Sequence, residues 1–193
     1  LVFVNDHDVG SPTGQGYFRN VKVYELADLP VETLKNTAVY DATNGGVRLT
    51  AAAGSVNGQV EWAVNPGEHF TADFEFWTGG GSGADAVYLY AYHTATPGNE
   101  DAATGGYTVA YDEWQNQIQL KWNGGTLATV ANANLDDAAW HDARVVVDGQ
   151  NVRVYLDGSL QIDYNDIARD TSGGLFGLGA RTGGSTNEHR VRN

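Results

Sequence analysis

Cysteine and methionine are both absent from this chain of 193 residues, and proline occurs only four times. Without cysteine there is no disulfide framework and no thiolate metal site. Without methionine there is no initiator residue, which points to a segment cut from a longer polypeptide. Basic residues are scarce: 11 Lys and Arg stand against 24 Asp and Glu, a formal net charge of −13. A field of that sign repels nucleic acid and anionic lipid, whose phosphates are gripped by Lys and Arg. No apolar run approaches the roughly 20 residues that cross a bilayer, so membrane insertion is not expected. Any export signal is expected outside these residues. Charged residues at 18% and aromatics at 11% separate the chain from disordered acidic tails.

What is present is strand signal. Between 143 and 164, three alternating runs are separated by Asp148-Gly149 and Asp157-Gly158, pairs whose tolerance of positive φ suits tight hairpins. Val152, Val154 and Leu156 share one face there, with Arg153 and Tyr155 on the other, and the pattern continues through Leu160, Ile162 and Tyr164. Further strands are expected at 70–77, 86–92, 107–114, 117–122, 126–131 and 175–181, punctuated by Gly79-Gly80-Gly81-Ser82-Gly83 and Gly183-Gly184. Short helical turns are expected only at 28–34 and 133–139. Many short strands without a long helical period predict an all-β chain: a single domain of two packed antiparallel sheets.

One internal similarity bears on the domain's limits. Gly16-Tyr17-Phe18-Arg19-Asn20 resembles His189-Arg190-Val191-Arg192-Asn193, and the first copy runs on as Val21-Lys22-Val23-Tyr24-Glu25. Residues 1–30 are therefore expected to supply a terminal strand, Val21–Leu26, beside or in place of the last one. The alternatives are a boundary out of phase with tandem repeats, or coincidence between two short basic strands.

Three separated segments carry the candidate chemistry. The first is Ser82-Gly83-Ala84-Asp85 entering a strand; the second is Thr104-Gly105-Gly106-Tyr107 leading to Asp112-Glu113-Trp114-Gln115-Asn116; the third is Arg181-Thr182-Gly183-Gly184 leading to Asn187. In this order they resemble the L-type lectins of the concanavalin A-like lectin/glucanase superfamily, and more broadly laminin-G-like domains. The resemblance implies a concanavalin-like jelly roll over roughly 37–193. It also implies roles: Asp85 as the carboxylate accepting from sugar hydroxyls, the Gly105-Gly106 backbone and Asn116 as sugar donors, and Gly183-Gly184 as a flanking loop. By the same resemblance, Asp112, the Trp114 carbonyl and Asn116 bind Ca2+, whose hard-ion chemistry suits oxygen donors. Two departures stand out. Ala110 replaces the Glu of a second, transition-metal site, and no Asp follows Asn116 after a loop, so either Glu113, Asp101 or Glu100 completes the calcium site or the site is vestigial.

An enzyme reading must also be weighed. Retaining glycoside hydrolysis uses two carboxyls roughly 5–5.5 Å apart. Asp112 and Glu113 point to opposite faces of a strand, which leaves Asp73 and Glu75, at i and i+2, as the residual acid pair. No Gly-x-Ser-x-Gly elbow or phosphate-cradling loop is present. Trp114 and Trp122 can stack on sugar, whereas Trp62, Trp77 and Trp140 are expected to pack. His7, His69, His93, His141 and His189 are not expected as ligands, and Asp148 and Asp157 are expected to serve their turns. The expectation is a non-catalytic, calcium-assisted module binding a glycan or polysaccharide, in an extracellular or cell-surface protein such as an adhesin, beside neighbouring domains. A laminin-G-like spacer and a glycoside hydrolase are the alternatives.

Overall fold

The computed structural model describes residues 30–131, 135–165 and 170–192. The chain runs through β1 (Thr33–Asn36), β2 (Val39–Tyr40), β3 (Val47–Ala53), β4 (Asn57–Trp62), β5 (His69–Gly79), β6 (Ala86–His93) and β7 (Tyr107–Asp112). It continues through β8 (Gln117–Trp122), β9 (Gly125–Ala131), β10 (Trp140–Asp148), β11 (Asn151–Leu156), β12 (Ser159–Asn165), β13 (Leu175–Arg181) and β14 (Asn187–Arg192). Two seven-stranded sheets result. The front sheet has the order β1-β4-β13-β6-β7-β8-β9, and the back sheet β12-β11-β10-β5-β14-β3-β2. Neighbouring strands are antiparallel throughout, and no helix occurs among the described residues. This is the jelly-roll sandwich the sequence predicted.

Alternation builds the core. Val87, Leu89, Val109, Ile118 and Leu120 of the front sheet face Phe74, Phe76, Val145, Val154 and Val191 of the back sheet in one continuous cluster. The predicted hairpins are present: Gly149 at φ 61° turns β10 into β11, and Asp157 and Gly158 at φ 49° and 74° turn β11 into β12. Strand β7 stops at Asp112, short of the predicted 114, because the Asp112 carboxylate accepts from the Gln115 N–H and closes a turn (2.7 Å). Thr33 and Leu34 lie in β1, and residues 135–139 are irregular, so neither expected helical turn is found among the described residues. Both edges of β14 are paired, to β3 and to β5. The Val21–Leu26 segment, expected beside or in place of this strand, lies outside the described residues.

The front sheet has an unusual outer face. Every residue of β6 and of β7 is buried. Their inner faces meet the core, and their outer faces lie under the connection 94–106. The Pro97 carbonyl accepts from Gln59 and from the Tyr88 hydroxyl (both 3.1 Å), and the Thr96 hydroxyl donates to Glu61 (2.7 Å). Room for the Tyr88 and Tyr90 rings comes from β13, where a Cβ at Gly179 or Gly177 would stand 2.5 Å from them.

Candidate functional site

One end of the front sheet gathers most of the residues singled out in the sequence. Asp85 enters β6 after a cis peptide bond with Ala84. Its N–H donates to the Arg181 carbonyl (2.9 Å), and its carbonyl accepts from the N–H groups of Glu113 (3.1 Å) and Trp114 (3.3 Å). The main chain of Asp85 is thus clamped between the end of β13 and the β7–β8 turn. That turn carries Trp114, 60% exposed, and Asn116, exposed at φ 53°. On the other side stands Gly183, where a Cβ would lie 2.9 Å from Asp85 Oδ2; at Gly184 a Cβ would meet nothing within 4 Å. Asp85, the turn with Trp114 and Asn116, and Gly183-Gly184 therefore form one rim.

Gly105 and Gly106 are not part of it. Antiparallel register pairs Ala86 with Asp112 and Ala91 with Tyr107, so the loop before β7 opens at the opposite end from the loop before β6. Five residues of strand separate them, roughly 17 Å at about 3.4 Å per residue. There the Gly105 N–H donates to the Asn123 side chain (2.9 Å), and both glycines have positive φ, at 81° and 69°. Their role is to turn the chain, and the expected contribution of their backbone to a sugar site beside Asp85 is corrected accordingly.

The electrostatics of the rim centre on a residue to which the sequence reading gave no role. Arg181 donates through Nε and Nη2 to both oxygens of Glu100 (3.0 and 2.7 Å), and its Nη1 lies 3.3 Å from Asp85 Oδ2. Lys121 pairs with Asp101. Burial pushes the Asp85 carboxyl above its ordinary range; the Arg181 guanidinium opposes this, while Glu100 and Glu113 reinforce it. Burial likewise raises Asp112, against the Gln115 N–H and with Glu100 adding to the rise.

Beneath the rim is a sealed polar cluster. Asn187 donates to Glu113 and Asp136 (both 2.7 Å), and His189 lies between Glu113 and Thr50. The Thr50 hydroxyl lies 3.1 Å from the Asn187 carbonyl and 2.6 Å from His189 Nδ1. Nε2 faces a Glu113 oxygen. Both side chains are fully buried, and the pair braces the rim from below.

The acids among the calcium donors expected from sequence are each engaged by a protein partner. Asp112 holds the Gln115 N–H, Glu100 holds Arg181, Asp101 holds Lys121, and Glu113 faces Asn187 and His189. Among the described residues no group of three or more His, Asp or Glu is arranged to hold a metal ion. The residues at Asp112, Trp114 and Asn116 do not fit a six- to eight-oxygen calcium shell.

The remaining candidates have structural partners. Trp122 packs edge-on against Tyr107, Trp62 against Phe176, and Trp77 and Trp140 lie under Arg190 and Arg192. His69 bonds Asp148, His141 bonds Asp157 and Asp137, and His93 bonds Thr104; His7 lies outside the described residues. Asp73 and Glu75 do share the outer face of β5, beside an open groove of about 520 Å3. Each is tied to an arginine, Asp73 to Arg144 and Glu75 bidentately to Arg192.

Comparison with known proteins extends this picture. The model of a family described as 3-keto-alpha-glucoside-1,2-lyase-like domain matches residues 30–193. Among solved structures, the exoplasmic/lumenal domain of VIP36 in a Ca2+/Man2-bound form superposes with a TM-score of 0.69 at 16% identity, covering 88% of this chain and 82% of that one. The carbohydrate-binding module CBM66 from Bacillus subtilis gives a TM-score of 0.62 at 18% identity, covering 86% and 98%. The carbohydrate recognition domain of Emp46p in a potassium-bound form gives 0.60 at 12% identity, covering 83% and 87%. At these identities the likeness establishes the concanavalin-like fold. No curated protein matches the chain.

Proposed function

The chain belongs to the 3-keto-alpha-glucoside-1,2-lyase-like domain family, and from that premise we propose that it is a carbohydrate-binding module whose ligand meets the rim of Asp85, Trp114, Asn116 and Gly183-Gly184. The observation that carries this reading is the Asp85 carboxylate. Its side chain retains 16% of its exposure, its main chain is fixed on both sides, and it borders a glycine turn where no Cβ intrudes. A carboxylate so held accepts charge-assisted bonds from two neighbouring sugar hydroxyls. The exposed Trp114 ring offers an apolar platform beside it, and Asn116 an amide.

A non-catalytic role is supported by the state of the acids. Glu61 lies buried under the 94–106 connection and Glu100 is buried within it, Glu61 bonded to Tyr90 and Thr96 and Glu100 to Arg181. Asp73 and Glu75 are held by arginines. A general acid must reach its substrate, and none of these does so without first losing a partner. The family description still makes a 3-keto-α-glucoside the first ligand to offer, and its turnover would establish the lyase reading instead. VIP36 and Emp46p are known in both metal-bound and metal-free forms. The module belongs, on this reading, to an extracellular or cell-surface protein with neighbouring domains that supply avidity to a shallow site.

A glycan array followed by calorimetry tests the proposal. Because a hydrogen bond to a charged group contributes about 1.5–3 kcal/mol, Asp85→Ala is expected to weaken the best ligand about tenfold or more while leaving the fold intact. Unchanged affinity in a folded Asp85→Ala protein would sink the proposal.

A further inference from the structure

Four carboxylates, Asp85, Glu100, Asp101 and Asp112, gather beside the front sheet, near enough that Glu100 pushes the carboxyl pKa of both Asp85 and Asp112 upward. Acids gathered in this way repel one another and need positive charge among them. In a metal-assisted site a divalent ion would supply it. Here two side chains do: Arg181 joins Glu100 to Asp85, and Lys121 takes Asp101.

We infer that Arg181 occupies the place a structural cation would fill, so that the Asp85 rim is assembled by a guanidinium built into β13 and does not require metal. Three observations carry this. First, Arg181 grips Asp85 twice, since its carbonyl accepts from the Asp85 N–H (2.9 Å) while its Nη1 faces the carboxylate (3.3 Å). One residue therefore sets both the backbone and the side chain of the ligand-facing acid. Second, the guanidinium fork is directional: two parallel bonds to Glu100 fix its plane and leave the third nitrogen aimed at Asp85. Third, Arg181 ends β13 still paired on both sides, in register with Asn57 of β4 and Ala86 of β6, so the charge cannot drift as an ion on a mobile loop can. Calcium drawing on Glu100 or on Asp85 Oδ2 would have to displace the guanidinium from them.

The inference depends on the sugar-site reading only for what the rim binds, and its test is independent of any glycan. Thermal unfolding is followed for the wild type with EDTA and with millimolar calcium, and for Arg181→Met and Arg181→Lys under the same conditions. The wild-type midpoint is expected to be the same in both. Arg181→Met is expected to fall by about 5 °C or more and to regain part of that with calcium. Arg181→Lys keeps the charge without the fork and should lie between the two. A wild-type midpoint that climbs with calcium overturns the inference, and that arm stands even if Arg181→Met does not fold. So does an Arg181→Met midpoint equal to the wild type, or a loss that neither calcium nor Arg181→Lys recovers, since the side chain would then act by packing alone. A chain that binds no glycan can pass this test, and one that binds through Asp85 can fail it.

Discussion

Gly183 has no side chain, and a methyl group there would stand 2.9 Å from Asp85 Oδ2. The backbone at this position is not in the left-handed region, so alanine is tolerated by the chain and opposed only by the carboxylate. Gly183→Ala should therefore rotate Asp85 away from the rim, lowering glycan affinity several-fold with little change in thermal midpoint. Calorimetry beside a melting curve reads both. Unchanged affinity would mean that the ligand does not sense where the Asp85 oxygens sit. That Asp85, Asn116 and Gly183-Gly184 could be singled out in the sequence, and lie at one rim in the structure, follows from each sitting within a short segment with a local pattern. Arg181 was not, because a guanidinium acting across the sheet on Glu100, 81 residues away, leaves no local spacing to detect.

At the scale of elements, legibility followed the side chains that make strands. Strands β5, β6, β8 and the β10–β12 meander announce themselves by branched and aromatic residues in alternation. Strands β3 and β4 read Val-Arg-Leu-Thr-Ala-Ala-Ala and Asn-Gly-Gln-Val-Glu-Trp, with too much alanine, glycine and amide to stand out. Gly105-Gly106 was misplaced for a different reason: a motif's order along the chain does not say at which end of an antiparallel pair its loop opens. The β10–β12 meander also carries a pH-sensitive fastening. His141, at the start of β10, contacts Asp157 in the β11–β12 turn (2.9 Å), Asp137 before β10 (3.1 Å) and the Phe76 ring of β5. Burial lowers its pKa, but the two aspartates outweigh burial and the net shift is upward. A histidine whose folded pKa exceeds its unfolded value of about 6.5 contributes stability that is complete below that pH and lost as pH rises through the folded value. The midpoint of the wild type should thus decline from pH 6 to pH 8 by more than that of His141→Gln. Parallel declines in the two proteins would show that the fastening does not titrate.

For the whole molecule, the back sheet is ordered so that β14 lies between β5 and β3, with Arg192 opposite Glu75 and Asn187 opposite Ala53. Removing a central strand leaves two apolar edges facing each other across a gap, and the sealed Glu113 cluster loses both Asn187 and His189. Deletion of residues 187–193 is expected to abolish cooperative thermal unfolding and to produce aggregation. A truncated chain with a sharp transition would show that the front sheet and its covering connection suffice. The position of β14 also imposes an order in time. Its partner β5 leaves the ribosome first: Gly79 precedes its pairing residue Glu188 by 109 positions. At about 5–20 residues per second, the nascent chain leaves the β14-facing edge of that strand unmatched for roughly 5–20 s before the wedge that closes the sheet exists. Closure of the back sheet therefore cannot precede the last stretch of translation, whatever the strength of any single contact.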